Sequence, residues 1–263
     1  MKTGLSKNQL YYEEHGSGPP LVLIAGLASD SQSWLPIIGP LSEHFRVIVF
    51  DNWGTGRSPL DNTGITIEQM ADDCLKLINH LNFSSVHLLG HSMGGMIAMN
   101  LAANHPEVVN KLVLEATSPK INRRNMELFN DWSEYLKSGM DKRLWFKNLF
   151  YWIFSPTFFE DEQMLNQALQ LSLDYPYPQP DESFDNQVKA VSEFDATEEI
   201  HKIKAPTLVV NGENDLLFRG SETKNIFAEI GDKREVVIKG AAHSIHMEKP
   251  EQFTEQVIEF FKT

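Results

Sequence analysis

The sequence predicts an α/β fold with a mostly parallel sheet, and two observations carry that expectation. Short β-branched or aliphatic runs recur through the first 118 residues, and longer segments with helical apolar spacing separate them. The runs lack polar alternation, as strands buried on both faces must. Strand and helix in alternation are the mark of βαβ units.

Taken in order, Leu21–Ile24, Val47–Phe50, Val86–Leu89 and Leu112–Leu114 read as strands. Between the second and third, Ile67, Met70, Ala71, Cys74, Leu75, Leu77, Ile78 and Leu81 form an apolar stripe at i, i+3, i+4 intervals, which predicts a helix. Met96–Ala103 reads as another. The alternation breaks at Ser118-Pro119 and returns at Ala205-Pro206. Thr207–Val210 then predicts a buried strand, Glu222–Ile230 a helix and Glu235–Ile238 a strand. A last helix runs to Phe261 from Pro250, a residue suited to a first helical turn.

Residues 119–204 have a different texture. They show no clear β-run and carry 15 of the 27 aromatic residues. Leu165, Ala168, Leu169 and Leu171 suggest a helix that ends before Tyr175-Pro176-Tyr177-Pro178-Gln179-Pro180, which must be extended or turning. The expected organisation is a core made of 1–118 and 205–263, with 119–204 as a helical insertion over one end of the sheet.

Composition narrows the function. The chain has 263 residues, enough for a sizeable core, and a net charge of −13. Such acidity argues against coating a phosphate backbone and against docking on anionic lipid. No nucleic-acid partner and no stable membrane association are expected. Cys74 is the single cysteine, so no intrachain disulfide can form. No apolar stretch of signal-peptide type follows Met1, and the longest apolar run, Leu21–Ala28, is far short of the roughly 20 residues that span a bilayer. The expectation is a cytoplasmic monomer or homodimer.

The sharpest local signal is Gly90-His91-Ser92-Met93-Gly94-Gly95, between a strand and a helix. A turn that tight needs glycine two residues either side of the serine, and it lifts the hydroxyl above the sheet at a helix N-terminus. A serine needs a base to take its proton. His243, in Gly240-Ala241-Ala242-His243 after the last strand, is the first choice; His246 is the second. The imidazole needs a carboxylate. Asp215, after the strand Thr207–Val210, is preferred over its neighbour Glu213 and over Glu115 at the end of an earlier strand. Oxyanion stabilisation needs two backbone donors. Met93 N–H follows the serine, and Leu27 N–H follows Gly26, whose lack of a side chain allows close approach. The plainer readings are a turn serine, a surface histidine and a helix-capping aspartate. Asp51-Asn52-Trp53-Gly54-Thr55-Gly56-Arg57-Ser58 lacks the spacing of a phosphate cradle and reads as a structural turn, with Asp51 and Arg57 pinning loops. His243 and His246 have no third ligand at zinc-type spacing, so no metal is expected.

Together these motifs resemble the α/β-hydrolase superfamily over nearly the whole chain except the insertion. The resemblance rests on Gly26, Asp51-x-x-Gly54-x-Gly56-x-Ser58, Gly90-x-Ser92-x-Gly94, Gly212-x-x-Asp215, and Gly240-x-x-His243 followed by Glu248-x-Pro250. It implies an eight-stranded, mostly parallel sheet flanked by helices, with a helical cap inserted after strand 6. It also implies a Ser92–His243–Asp215 triad and no cofactor. Ala25 stands where many members have His, and Trp53 where many have Arg. Serine at 92 argues against the branches that attack with a carboxylate. The implied reaction is hydrolysis of carboxylic esters or lactones with small to medium apolar acyl groups through an acyl-enzyme. Trp53, His91, Trp145, Phe150 and Trp152 are the substrate-binding candidates. A C–C-bond hydrolase, a 3-oxoadipate enol-lactonase-like enzyme, and a slow-turnover ligand sensor remain as alternatives.

Overall fold

The computed structural model describes residues 1–60, 65–219 and 226–263. Its strands are β1 (Lys2–Leu5), β2 (Tyr11–His15), β3 (Pro20–Ile24), β4 (Arg46–Phe50), β5 (Val86–His91), β6 (Val109–Glu115), β7 (Thr207–Gly212) and β8 (Lys233–Ile238). They form one sheet in the order β1-β2-β4-β3-β5-β6-β7-β8. The pairings β1–β2 and β2–β4 are antiparallel; all others are parallel.

The helices are α1 (Leu35–Ser42), α2 (Ile67–His80), α3 (Met93–Asn104), α4 (Arg123–Lys137), α5 (Lys142–Ile153), α6 (Pro156–Glu160), α7 (Glu162–Leu173), α8 (Asp181–Glu193), α9 (Ile245–Glu248) and α10 (Pro250–Lys262). Successive residues of the central strands enter two different cores. Val22, Ile24, Ile48 and Leu88 pack with α2 and α3, whereas Leu21, Leu23, Val49 and Leu89 pack with α1 and α10. Both faces are dry, which is why these strands read as continuous aliphatic runs.

Among the described residues, no helix is long and apolar enough to cross a membrane.

Local chemistry sets the element boundaries. The Thr66 hydroxyl accepts from Gln69 N–H at 3.2 Å and starts α2. Asn122, Asp141 and Asp161 cap α4, α5 and α7 in the same way. Asp51 and Arg57 pin loops as expected. Asp51 Oδ1 accepts Ser31 N–H at 3.0 Å and its Oδ2 accepts Arg57 N–H at 2.8 Å. Arg57 also donates to Glu13 of β2 at 2.9 Å. The loops after β3 and β4 are thereby fixed to the antiparallel edge.

The segment between β6 and β7 holds five helices, α4 to α8. It leaves and rejoins the sheet at one place: Ala196 N–H donates to Pro119 O at 2.9 Å, and Lys120 pairs with Asp195 at 2.6 Å. Its buried indoles are satisfied internally. Trp132 Nε1–H donates to Asn148 Oδ1 at 2.8 Å, and Trp145 Nε1–H to Trp132 O at 3.0 Å.

Of the helix expected over Glu222–Ile230, residues 222–225 lie outside the described residues, and the described part holds a 3-10 turn over Ile226–Glu229. The strand expected at Leu112–Leu114 extends over Val109–Glu115, a length that brings Glu115 beside the nucleophile turn.

Candidate active site

β5 runs directly into α3, so Ser92 stands at the junction. Its backbone has φ 53° and ψ −118°, a conformation a side-chain-bearing residue holds only when its surroundings impose it. The surroundings do so here. A Cβ on Gly90 would lie 2.3 Å from Gly94 O, and one on Gly94 2.0 Å from Ile24 O. Thr117 Oγ1–H donates to Ser92 O at 2.7 Å, and Ser92 N–H donates to Glu115 O at 2.9 Å.

Asp215 and His243 come from the loops after β7 and β8. Gly212 lets those loops touch: a Cβ there would lie 2.0 Å from Ala242 O. Asn214 N–H donates to Ala241 O at 2.8 Å. Asp215 Oδ1 accepts Leu217 N–H at 2.7 Å and Phe218 N–H at 3.0 Å, while Oδ2 meets His243 Nδ1 at 3.0 Å. Both side chains are buried. A carboxylate only accepts, so the hydrogen of this contact is on His243 Nδ1, the arrangement in which a neutral imidazole offers Nε2 as a general base.

The rivals have other work. Glu213 Oε2 accepts Gly240 N–H at 2.9 Å and braces the loop before His243. Glu115 Oε1 accepts from His246 Nδ1–H at 2.9 Å and from His246 N–H at 3.0 Å. His91, Glu115 and His246 each bring one metal-ligand-type atom within 4.8 Å of the others, but Glu115 and His246 are bonded to each other.

Ser92, His91 and His243 line a cavity of about 660 Å³. Leu27 lines it too. Gly26, the residue before it, passes close to the serine: a Cβ on Gly26 would stand 3.2 Å from Ser92 Cβ. Met93 N–H is the first amide of α3, one of the donors that a helix cannot satisfy itself. Burial holds His91 well below the usual imidazole range, and the neighbouring imidazoles of His243 and His246 add to the effect. A neutral His91 therefore uses Nε2–H to donate to His243 O at 3.1 Å.

Of the sequence candidates, Trp145 and Phe150 line the cavity, as does His91. Trp53 and Trp152 are not in its wall among the described residues. Trp53 Nε1–H donates to Asp73 Oδ2 at 2.6 Å, and Trp152 lies beside Arg124 at 5.8 Å. Residues missed from sequence are Phe129, Phe146, Phe184 and the polar pair Asp30 and Tyr175. Tyr175 O–H donates to Asp30 Oδ2, linking the Pro-Tyr stretch to the loop after β3. Burial raises the Asp30 carboxyl. No periodicity signals that pairing, since 145 positions separate the two residues.

Fold and site define the class. A family model described as "alpha/beta hydrolase fold" matches residues 19–250, and the chain belongs to that family. It is a hydrolase of this fold. It is 28% identical over 257 residues to "Putative carbamate hydrolase RutD" of Agrobacterium fabrum, covering 95% of this chain and 97% of that protein. A protein of the same name from Serratia proteamaculans is 30% identical over 248 residues, 90% of each chain. Among solved structures, the enol-lactonase of Burkholderia xenovorans superposes with a TM-score of 0.89 at 25% identity, covering 100% of both chains. A thermophilic esterase of Thermogutta terrifontis gives 0.87 at 25% identity, covering 100% and 98%.

Proposed function

We propose that the protein is a serine hydrolase of carboxylic esters or lactones with small to medium apolar acyl groups. The observation that carries this reading is the buried Asp215–His243 pair at 3.0 Å, whose imidazole borders the same cavity as Ser92. Ser92 Oγ attacks the carbonyl carbon while its proton passes to His243 Nε2, and Asp215 stabilises the imidazolium. The Leu27 and Met93 amides hold the oxyanion. His243 returns the proton to the leaving alcohol; in a lactone that alcohol stays tethered to the acyl group. His243 then takes a proton from water as the water oxygen attacks the acyl carbon, and returns it to Ser92 Oγ as the C–Oγ bond breaks and the acid leaves.

The cavity wall is rich in aromatic rings, among them Phe129, Trp132, Trp145, Phe146 and Phe150, and Leu217 lines it as well. Residues 119–204 act as a cap over the core 1–118 and 205–263, and they supply most of that wall. Among the described residues, the Asp, Glu, Lys and Arg side chains in the wall are Asp30 and Lys142, and Lys142 is already paired with Asp181 at 2.6 Å. Such a wall favours an uncharged acyl group over an anion. The names of the relatives keep two other carbonyl substrates in play, a carbamate and an enol-lactone. A cytoplasmic monomer or homodimer without a cofactor completes the proposal.

The test is a panel of p-nitrophenyl esters, lactones, a carbamate and a vinylogous diketone, run beside fluorophosphonate labelling with mass mapping of the tagged peptide. The expected result is a tag on Ser92, sustained turnover of neutral esters, and loss of both in Ser92→Ala with the circular dichroism unchanged. Undiminished turnover in Ser92→Ala removes the serine from the mechanism. A single burst without steady state favours a sensor.

A further inference from the structure

The site holds a second carboxylate–imidazole pair beside the first. Glu115 is fully buried at the end of β6, directly after the aliphatic run Leu112–Leu114. Burying a carboxylate costs several kcal/mol unless partners satisfy it. Its partner is His246, which is equally buried and meets Oε1 through two donors, the backbone N–H and Nδ1–H, while Glu115 Oε2 and His246 Nε2 have no hydrogen-bond partner among the described residues. His246 lies in the four-residue helix α9, three positions beyond His243. The other end of Glu115 faces the serine: its carbonyl accepts Ser92 N–H at 2.9 Å, where the β5–β6 ladder runs past the strand into the turn.

We infer that Glu115 is a positioning residue that ties the nucleophile to the loop bearing its base, its backbone holding Ser92 and its carboxylate holding His246. The inference rests on the proposed roles of Ser92 and His243.

Neighbouring contacts bear on the same link. His91 stands between the two imidazoles, with ring centroids 4.7 Å from His243 and 4.9 Å from His246. The Trp34 ring covers His246 at 4.4 Å. Glu248 fixes the loop elsewhere, since its carboxylate accepts Ala242 N–H at 2.7 Å and Ser155 N–H at 2.9 Å. Glu248 thus holds the loop to itself and to the helical segment. Glu115 is bonded to both the base loop and the nucleophile residue, so a change in its side chain alters the distance between the reacting groups.

Two variants separate the tie from simple stability. Glu115→Gln keeps a carbonyl oxygen able to accept both His246 donors; Glu115→Leu keeps the volume and removes the acceptor. A displacement of the order of 1 Å between reacting groups costs about 10²-fold. The expected result is therefore a kcat loss of about 10- to 100-fold in Glu115→Leu, measured well below its melting temperature, with KM within about threefold. Glu115→Gln should stay within about threefold of the parent in both constants, and His246→Phe, which keeps one donor, should fall between them. Glu115→Leu/His246→Phe should be no worse than Glu115→Leu, because the two residues act through one link. A merely structural role would lower the melting temperature and leave kcat of the folded enzyme unchanged.

A second readout does not need turnover. The His243 Nδ1–H, held by Asp215, should give a low-field proton resonance, assigned by its loss in His243→Gln. It should persist in Glu115→Gln and move or broaden in Glu115→Leu or His246→Phe. An unmoved resonance and unchanged kcat in a folded Glu115→Leu overturn the tie. So does Glu115→Gln falling as far as Glu115→Leu, which would point to the charge. If Glu115→Leu does not fold, an unmoved resonance and unchanged kcat in His246→Phe overturn the tie instead. If Ser92→Ala turns over as the parent does, the catalytic reading fails by itself, and the resonance still decides whether Glu115 holds the His243 loop.

Discussion

Gly26 has ordinary backbone geometry, so its value lies in what it does not carry. A methyl group there would meet His91 Nδ1 at 3.0 Å and Ser92 Cβ at 3.2 Å, close enough that the loop must give by a few tenths of an ångström. The Leu27 amide rides on that loop. Gly26→Ala should therefore fold normally and lose activity. Complete removal of an oxyanion donor costs about 10²–10³ in kcat, and a partial displacement should cost about tenfold. The measurement is acylation rate against melting temperature; a full rate would take Leu27 out of the oxyanion role. Gly94 should behave differently, since its added Cβ meets the Ile24 backbone at 2.0 Å, where no side chain can yield. Ser92, Asp215 and His243 were legible because each sits in a short motif fixed by backbone geometry. The wall of the cavity was not. Trp145 and Trp152 share helix α5, seven positions apart, yet only the first faces the cavity, and that choice depends on packing against α4 and α8 rather than on aromatic content. The Glu115–His246 pair left a faint trace, a carboxylate at a strand end and a histidine after His243, but each read as a rival for one role. Their mutual contact spans 131 positions and emerges only in three dimensions.

At the scale of elements, the helical segment keeps its shape through a small number of cross-links, and Asp185 carries one of them. It sits on α8 and accepts from Lys189 on the same helix and from Lys137 and Ser133 on α4, each at 2.7 Å. Partial burial by itself would raise its carboxyl; the two ammonium groups and the hydroxyl outweigh that and hold it well below the usual carboxylate range. A depressed carboxylate stabilises the fold fully above its unfolded value, near 4, and the contribution declines as pH falls through that region. Asp185→Asn should thus lower the melting temperature at pH 7, with the gap to the parent narrowing by pH 3. A gap that stays constant with pH would mean the charge plays no part. Phe129 and Trp132 of α4 and Phe184 of α8 face the cavity, so KM for bulky acyl esters should rise in the same variant. The main strands were legible as elements because both faces are buried, and aliphatic runs then have no competing explanation. The antiparallel edge was not legible residue by residue: β1 and β2 are short and half-exposed, with Tyr11–His15 mixing aromatic and charged side chains. Helix ends were less legible than helix centres, as at α3, which begins at Met93 because the nucleophile turn, not a capping side chain, starts it.

Over the whole molecule, acid stability should be governed by histidines kept neutral in the core as well as by the surface acids that give a net charge of −13. His87 on β5 is buried between the rings of Phe45 and Phe261, at 6.1 and 4.7 Å, and its Nδ1 has no partner among the described residues. Burial, with the Lys111 charge beside it, lowers its pKa from 6.5 to about 4. His91 is lowered as well, first by its burial behind the active site. Below 6.5 the unfolded chain binds a proton at each of these positions, while the folded chain stays neutral at His87 until about pH 4. Stability is therefore complete above 6.5 and falls as pH drops through this window, at up to about 1.4 kcal/mol per pH unit for each proton taken up. His87→Phe removes one of those protons and an unpartnered buried nitrogen while preserving an aromatic ring between Phe45 and Phe261. It should raise the melting temperature at pH 5 more than at pH 8 and flatten the profile between pH 6.5 and 4. Parallel profiles for the parent and His87→Phe would show that His87 is protonated as readily in the folded protein as in the unfolded chain, and the acid sensitivity would then belong to His91 and the carboxylates.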